Sequence, residues 1–433
     1  MRRIIGTLAI AAALAAAAGD ALAQGEPRYV QFQPSATKGA LYVPDRGQAP
    51  RTAFLVVHRT SNFLSHIATK ELAQRGFMVL AMNPRSDNNE AIVNFEEIGL
   101  DIRQGVEFLR RQPGIGKVVL IGHSGGGPST SFYQAVAEKG VGYCNGPEKL
   151  TPCPDSLAGL PKADGIVFLD AHPGNTVNAL RGLNAAMRDE SRPNDLDPAL
   201  DPFSPANGFN PNGDSTYSAD FVDRYSRAQS ARMNRLIEKA QAMRAAIRAG
   251  THTTTDDDVF VAYRDRARLS DVSTGVHAAT TRPQKVLRDD GTVVTEIART
   301  VRVSTPDNAK RDATLGVGAL FLTVESFLSA NAIRSTHSLD GIDWCSSNNS
   351  APCAVQTITV PTLVMAMGGH YFITDGELIH DRSAAADKDF VVVEGASHGM
   401  TPCNACSRQT GKSYANATKN LFDYVARWAE ARM

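Results

Sequence analysis

Five residues, Gly122-His123-Ser124-Gly125-Gly126, stand between an apolar run, Val118 to Ile121, and a segment with Pro128 near its start. Proline suits the first turn of a helix, so the serine is placed on a tight turn from strand to helix. Flanking glycines let the backbone bend there and leave the hydroxyl exposed. The helix behind it offers free N–H groups and the positive end of its dipole to a developing oxyanion. A serine hydroxyl is a poor nucleophile until a base takes its proton. Of ten histidines, His398 is the best placed, after the apolar run Phe390 to Val393 in the loop Gly395-Ala396-Ser397-His398-Gly399. His58, His123, His172 and His370 are its rivals. These residue types suit acyl transfer.

Other chemistry finds little support. Asp256-Asp257-Asp258 reads as a solvated acidic face. Asn210-Pro211-Asn212-Gly213-Asp214 has its glycine misplaced for a calcium loop and lacks the bidentate acid. No histidine, cysteine and acid group has metal-binding spacing, and no glycine-rich nucleotide fingerprint follows a strand. No metal and no cofactor are expected. With 45 basic and 45 acidic residues the 433-residue chain has no net charge, so nothing global draws it to nucleic acid or an anionic membrane.

The N-terminus reads Arg2-Arg3, an apolar stretch from Ile4 to Ala18, then Ala21-Leu22-Ala23. That is the order of a secretory signal over residues 1–23, and the apolar stretch is shorter than the ~20 residues that span a bilayer. No later stretch approaches that length, so no membrane span is expected. An exported protein, periplasmic or secreted, follows. Export makes the six cysteines candidates for disulfides. They fall as near pairs, Cys144 with Cys153, Cys345 with Cys353 and Cys403 with Cys406. Short loops favour these pairings without fixing them.

The elements that must position this chemistry alternate. Tyr29 to Phe32, Leu41 to Val43, Phe54 to Val57, Phe77 to Met82, Val118 to Ile121 and Gly165 to Leu169 read as strands. Phe63 to Gln74 is helix-like, and Ile98, Ile102, Val106 and Leu109 recur at helical spacing. Short continuous apolar strands between helices predict an α/β fold with a parallel sheet covered on both faces. After residue 172 the rhythm breaks. Residues 192–215 are dense in Pro, Asn, Asp and Gly, residues 220–248 predict a long amphipathic helix, and Asp290-Gly291 predicts a hairpin. The rhythm resumes at Pro361. A core of residues 24–172 and 356–433 is expected, with 173–355 inserted as a cap, since a loop that long needs structure of its own.

In Gly122-His123-Ser124-Gly125-Gly126, in Val56-Val57-His58 after an early strand, and in Glu394-Gly395-Ala396-Ser397-His398-Gly399 near the end, the chain resembles the α/β-hydrolase superfamily. The resemblance covers roughly 50–170 and 360–431, not the cap. It implies an eight-stranded, mostly parallel sheet with helices on both faces, and the order nucleophile, acid, histidine. It implies Ser124 as nucleophile and His398 as base in a serine esterase or lipase-like enzyme acting on a small-molecule ester. Amidase, peptidase and lactonase chemistry use the same residues. A non-catalytic binding protein on this fold is the rival from another class.

The oxyanion donors implied are the N–H of Gly125 and one from Arg59 or Thr60. Arg59 stands where the family's pattern has glycine. The acid is displaced. The usual slot, just past the strand that begins at Pro361, falls on or beside His370, which cannot supply a buried negative charge. Two acids remain. Asp170 ends the strand Gly165 to Leu169, where lipases of the pancreatic type carry theirs, and it is preferred. Asp375 is the alternative, although Thr374-Asp375-Gly376-Glu377 also reads as a helix N-terminus. His370 and His123 are then possible pocket residues.

Overall fold

Within the strand runs, alternate side chains go to opposite faces. Ala53, Leu55, Val57, Leu120, Ile166, Phe168, Val364 and Ala366 pack into one buried core. Phe54, Val56, Val119, Ile121, Val167, Leu169, Leu363 and Met365 pack into a second. A sheet with two apolar faces has to be covered twice. Ile102, Val106 and Leu109 of helix Ile98–Arg110 and Phe132 and Val136 of helix Gly126–Lys139 cover the first face. Leu72 of helix Ile67–Ala73 and Leu421, Phe422, Val425 and Trp428 of helix Ala417–Glu430 cover the other. Each fully buried Leu, Ile, Val or Phe contributes about 1.5–3 kcal/mol, so the layers are held mainly by this burial.

The computed structural model describes residues 26–44, 49–264, 267–306 and 318–433. The expected signal segment, 1–23, lies outside them. The strands are β1 (Arg28–Gln31), β2 (Lys38–Tyr42), β3 (Thr52–Val57), β4 (Met78–Asn83), β5 (Lys117–His123), β6 (Gly165–Leu169), β7 (Val259–Tyr263), β8 (Ala279–Leu287), β9 (Val293–Arg299), β10 (Ala319–Thr323), β11 (Ser335–His337), β12 (Gly341–Ile342), β13 (Thr362–Met367) and β14 (Lys388–Val393). Ten of them make one sheet in the order β1-β2-β4-β3-β5-β6-β13-β14-β8-β9. From β4 through β8 every neighbouring pair is parallel, and β1, β2 and β9 run antiparallel to their neighbours.

Eight strands were expected and ten are present. The extra pair is the hairpin around Asp290-Gly291, which lies inside the stretch read as cap. Val286 and Leu287 of β8 are buried, and β8 pairs with β14 in register Val391↔Lys285 to Val393↔Leu287. An uncovered β14 would present a row of unpaired N–H and C=O groups, and the hairpin takes that edge. Residues 173–355 therefore do not stand wholly outside the sheet.

Much of the rest of the insertion gathers on a further core, while Ala330, Ala351, Ala354 and Val355 join the first face of the sheet. Helix Ala219–Arg248 runs the length predicted for it and is capped by Ser218, whose Oγ accepts the Phe221 N–H at 3.1 Å. Its Met233, Leu236 and Ile237 pack with Val177, Leu180, Phe260 and Phe327. β7 pairs with β10, and β11 with β12, as two small sheets apart from the large one.

Candidate active site

β5 ends at His123, and the helix Gly126–Lys139 begins three residues later. Ser124 is forced into the left-handed region, with φ +54°. A non-glycine residue there is strained, and such strain persists where the surroundings over-determine it. The helix can start this close to the sheet because residue 126 is glycine: a Cβ there would lie 2.3 Å from the Val57 carbonyl oxygen. The turn leaves Ser124 partly accessible at the C-terminal ends of the strands.

Two other strand ends converge on it. β6 and β13 are parallel neighbours, paired from Thr362↔Ile166 to Met365↔Leu169. Asp170, directly after β6, also has a positive φ, +42°. Its N–H donates to the Met365 carbonyl at 2.7 Å, and its Oδ1 accepts the Met367 N–H at 3.0 Å. The carboxylate is thus fixed by the neighbouring strand. Its Oδ2 lies 2.6 Å from His398 Nδ1, and His398 Nε2 lies 3.0 Å from Ser124 Oγ. An imidazole bridging a hydroxyl and a buried carboxylate in this way can take the hydroxyl proton and hold the resulting charge. Burial alone would raise the pKa of Asp170, but the His370 and His398 rings outweigh it and hold the carboxyl well below the usual range.

The loop carrying His398 is braced from behind by two further histidines. Ala68 N–H donates to His66 Nδ1 at 3.2 Å, leaving His66 Nε2 as the donor to His123 Nδ1 at 3.1 Å. His123 Nε2 then donates to the carbonyl of His398 at 2.9 Å. Burial pushes His66 down to about 4 and His123 well below its ordinary value, so both rings stay neutral and this chain of donors is fixed. His123, expected as a possible pocket residue, is therefore a buried brace. His370 sits in front. Its ring stacks on His398 with centroids 4.4 Å apart, and its Nδ1 is 2.7 Å from the same Asp170 oxygen, though out of line for a regular hydrogen bond.

The loop after β3 supplies the opposite wall. His58 Nδ1 accepts the N–H groups of Thr60 at 3.1 Å and Ser61 at 2.8 Å. Thr60 was one of the expected oxyanion donors, and its N–H is committed to His58 instead. Arg59 is not a solvated surface residue. Its side chain is 6% exposed and Nη2 binds both oxygens of Glu90 at 2.6 Å. Thr60 Oγ1 donates to the same carboxylate. A Cβ on Gly125 would lie 2.6 Å from His58 Nε2, 2.7 Å from Arg59 Nη1 and 3.1 Å from His172 Nε2, so only glycine fits beneath this wall.

Asp375, the alternative acid, is occupied elsewhere. It lies in the first turn of helix Ile373–Arg382, nearly fully buried, and both its oxygens take Arg181 Nη1, at 3.0 and 3.1 Å. Breaking a buried pair leaves one charge uncompensated, at a cost of about 3–5 kcal/mol. Asp375→Asn, which keeps one acceptor, is expected to lie at the low end and lower the Tm by something on the order of 4 °C. Calorimetric unfolding checks this, and an unchanged Tm would mean the pair does not stabilise the fold. A cleft of about 1090 Å³ opens beside this pair, lined by Tyr217, His277, Trp344 and Glu377 among others. Ser124, His398 and Asp170 do not line it.

The three near cysteine pairs are all bridged: Cys144–Cys153, Cys345–Cys353 and Cys403–Cys406. The last is tied to the loop that carries His398, because Cys403 N–H donates to the Gly395 carbonyl at 2.8 Å. Reductant is therefore expected to lower activity before it lowers helicity. Parallel assays of turnover and far-ultraviolet circular dichroism against added thiol test this, and a simultaneous loss would assign the bridge to global stability.

No family model and no curated relative matches the chain. Solved structures do resemble it. Est1E from Butyrivibrio proteoclasticus is 9% identical over 94% of this chain and 98% of its own, with a TM-score of 0.39. A proline iminopeptidase of Mycobacterium smegmatis is 12% identical over 94% and 98%, at 0.39. A hormone-sensitive lipase from a metagenome library is 12% identical over 94% and 86%, at 0.42. Likeness this distant carries no argument, and the chain's own sheet order and strand–serine–helix turn are what bear on the fold. The mostly parallel sheet, its order and the strand–serine–helix turn agree with what the resemblance to the α/β-hydrolases implies for the fold.

Several residues around this site escaped the sequence. Glu90, His66 and Phe372 stand next to the site only because separate loops meet there. Phe372 sets its ring edge-on to His398 at 5.6 Å. No local pattern marks any of them.

Proposed function

We propose that this protein is a serine hydrolase that cleaves a carboxylic ester through an acyl-enzyme. The single observation behind it is the bridge made by His398, 3.0 Å from Ser124 Oγ on one side and 2.6 Å from Asp170 on the other. Ser124 Oγ attacks the carbonyl carbon while its proton passes to His398 Nε2. The tetrahedral oxyanion is held by the N–H of Gly125 and, with the N–H of Thr60 engaged, by that of Arg59. As the C–O bond breaks, His398 returns the proton to the departing alcohol and leaves an ester on Ser124. Water then attacks that ester with His398 again as base, and the acid product leaves. Asp170 keeps the proton of His398 on Nδ1, so that Nε2 is free to accept.

A small-molecule ester is the proposed substrate, and residues 173–278 and 300–355 serve as the cap over it. Export is the proposed setting, consistent with three bridged cysteine pairs.

Turnover of p-nitrophenyl butyrate, together with labelling by a fluorophosphonate probe, tests the reading. One label per chain, carried on Ser124, is expected alongside ester turnover. A folded protein that neither turns over esters nor takes the label would end the proposal. Faster cleavage of a matched amide would move the substrate class to amides.

A further inference from the structure

Ester hydrolysis needs one imidazole on Asp170, and two are present. His398 Nδ1 and His370 Nδ1 stand 2.6 Å and 2.7 Å from the same carboxylate oxygen, Oδ2. All three atoms lie within 4.8 Å of one another. The other oxygen is held by the Met367 N–H, so the carboxylate cannot turn away. His370 is fixed equally well. Its N–H donates to the Met367 carbonyl at 3.0 Å, and its own carbonyl accepts from Thr300 Oγ1 at 3.0 Å. Its ring lies between Tyr371, at 4.2 Å, and the edge of Phe372, at 4.5 Å. The Nδ1 of His370 is nonetheless a buried polar atom with no aligned hydrogen bond. Such an atom calls for an explanation.

We propose that Asp170, His370 and His398 form a binding site for a divalent transition-metal ion, zinc foremost, and that its occupancy switches the serine nucleophile off. Two imidazole nitrogens and one carboxylate oxygen suit zinc, copper or nickel rather than calcium or magnesium. Zinc binds such atoms at about 2.0–2.2 Å, which sets tetrahedral ligand atoms roughly 3.3 Å apart. The two nitrogens stand 2.6 and 2.7 Å from the oxygen, and all three atoms lie within 4.8 Å of one another, a range that brackets that spacing. Access comes from the solvent side, where the side chains of His370 and His398 are 18% and 36% exposed. The carboxylate arrives with its Met367 hydrogen bond already made, the outer contact that orients a ligating acid. Binding takes the place of the proton that His398 shares with Asp170 on Nδ1, and the ring, staying neutral, carries its one proton on Nε2 instead. Both imidazoles then coordinate through Nδ1, and the protonated Nε2 of His398 can no longer accept from Ser124.

The consequence for activity rests on the serine-hydrolase reading, whereas the metal site rests on the three ligands alone. The test uses the full chain, stripped with chelator. Zn²⁺ alone is titrated by calorimetry, and Co²⁺ by its visible absorption. Fluorophosphonate labelling is timed at each Zn²⁺ concentration. One ion per chain is expected, with labelling slowed at least about tenfold at saturation and restored by chelator. His370→Ala is expected to weaken binding by about tenfold or more, and His370→Gln, which preserves bulk, should do the same. Melting curves establish that both variants are folded. No detectable binding, or binding unchanged in both His370 variants, overturns the site. Labelling and turnover that ignore zinc would reject the switch while leaving the hydrolase reading intact. His370-dependent binding in a chain that hydrolyses nothing would leave the site standing and reject the hydrolase.

Discussion

Asp170→Asn is expected to lower kcat/KM on p-nitrophenyl butyrate by about ten-thousandfold. The geometry explains the size of the effect. Met367 N–H needs an acceptor and holds the oxygen of the new amide in the place of Oδ1. The amide nitrogen is then turned toward His398 Nδ1, where Asp170 Oδ2 now lies 2.6 Å away. A donor in that place reverses the tautomer of His398 and puts the proton on Nε2. The face toward Ser124 can no longer accept. The paired control is Asp375→Asn, whose carboxylate binds Arg181 and should cost stability and leave the rate within a few-fold. The two variants assayed side by side decide the acid. Collapse at Asp375 with Asp170→Asn near wild type would reverse the assignment.

Ser124→Ala is expected to do more, lowering turnover by about a millionfold, since nothing else nearby can form the acyl-enzyme. Alanine suits the local backbone no worse than serine does at φ +54°, and the His398–Asp170 contact does not depend on the hydroxyl. The variant should therefore fold, melt near the wild-type temperature and fail to take a fluorophosphonate label. Any ester turnover within tenfold of wild type would place the nucleophile on another residue. Combining Ser124→Ala with Asp170→Asn should add little to the loss from Ser124→Ala alone, because residues that act as one unit do not contribute independently.

The turn at Ser124 was legible because its cause is local. Apolar Val118 to Ile121, four glycines close by and a proline opening the helix act within a dozen residues. The same holds for helix Ala219–Arg248, for the near cysteine pairs and for the hairpin at Asp290-Gly291. What the hairpin pairs with was a different matter. Whether β8 joins β14 or stays with the cap depends on which edge is open once the sheet has formed. That choice turned an expected eight strands into ten.

The acid shows the division most clearly. By sequence alone Asp170 and Asp375 were both candidates, 205 residues apart in chain position. The sheet makes β6 and β13 parallel neighbours, so the ends of both strands arrive at one place, and a carboxylate from either could serve. Packing then decides: Asp170 is pinned to the Met367 N–H beside His398, and Arg181 holds Asp375. Thr60 was lost as a donor for the same kind of reason, since the ring of His58 folds back onto its N–H. The sequence by itself determined the serine's turn, the α/β layering and the order of the chemistry-bearing residues, because short-range patterns encode them. Only the tertiary structure decided which acid meets the histidine, which N–H groups stay free and why His370 stands beside Asp170, because contacts between distant strand ends are not written in any local pattern.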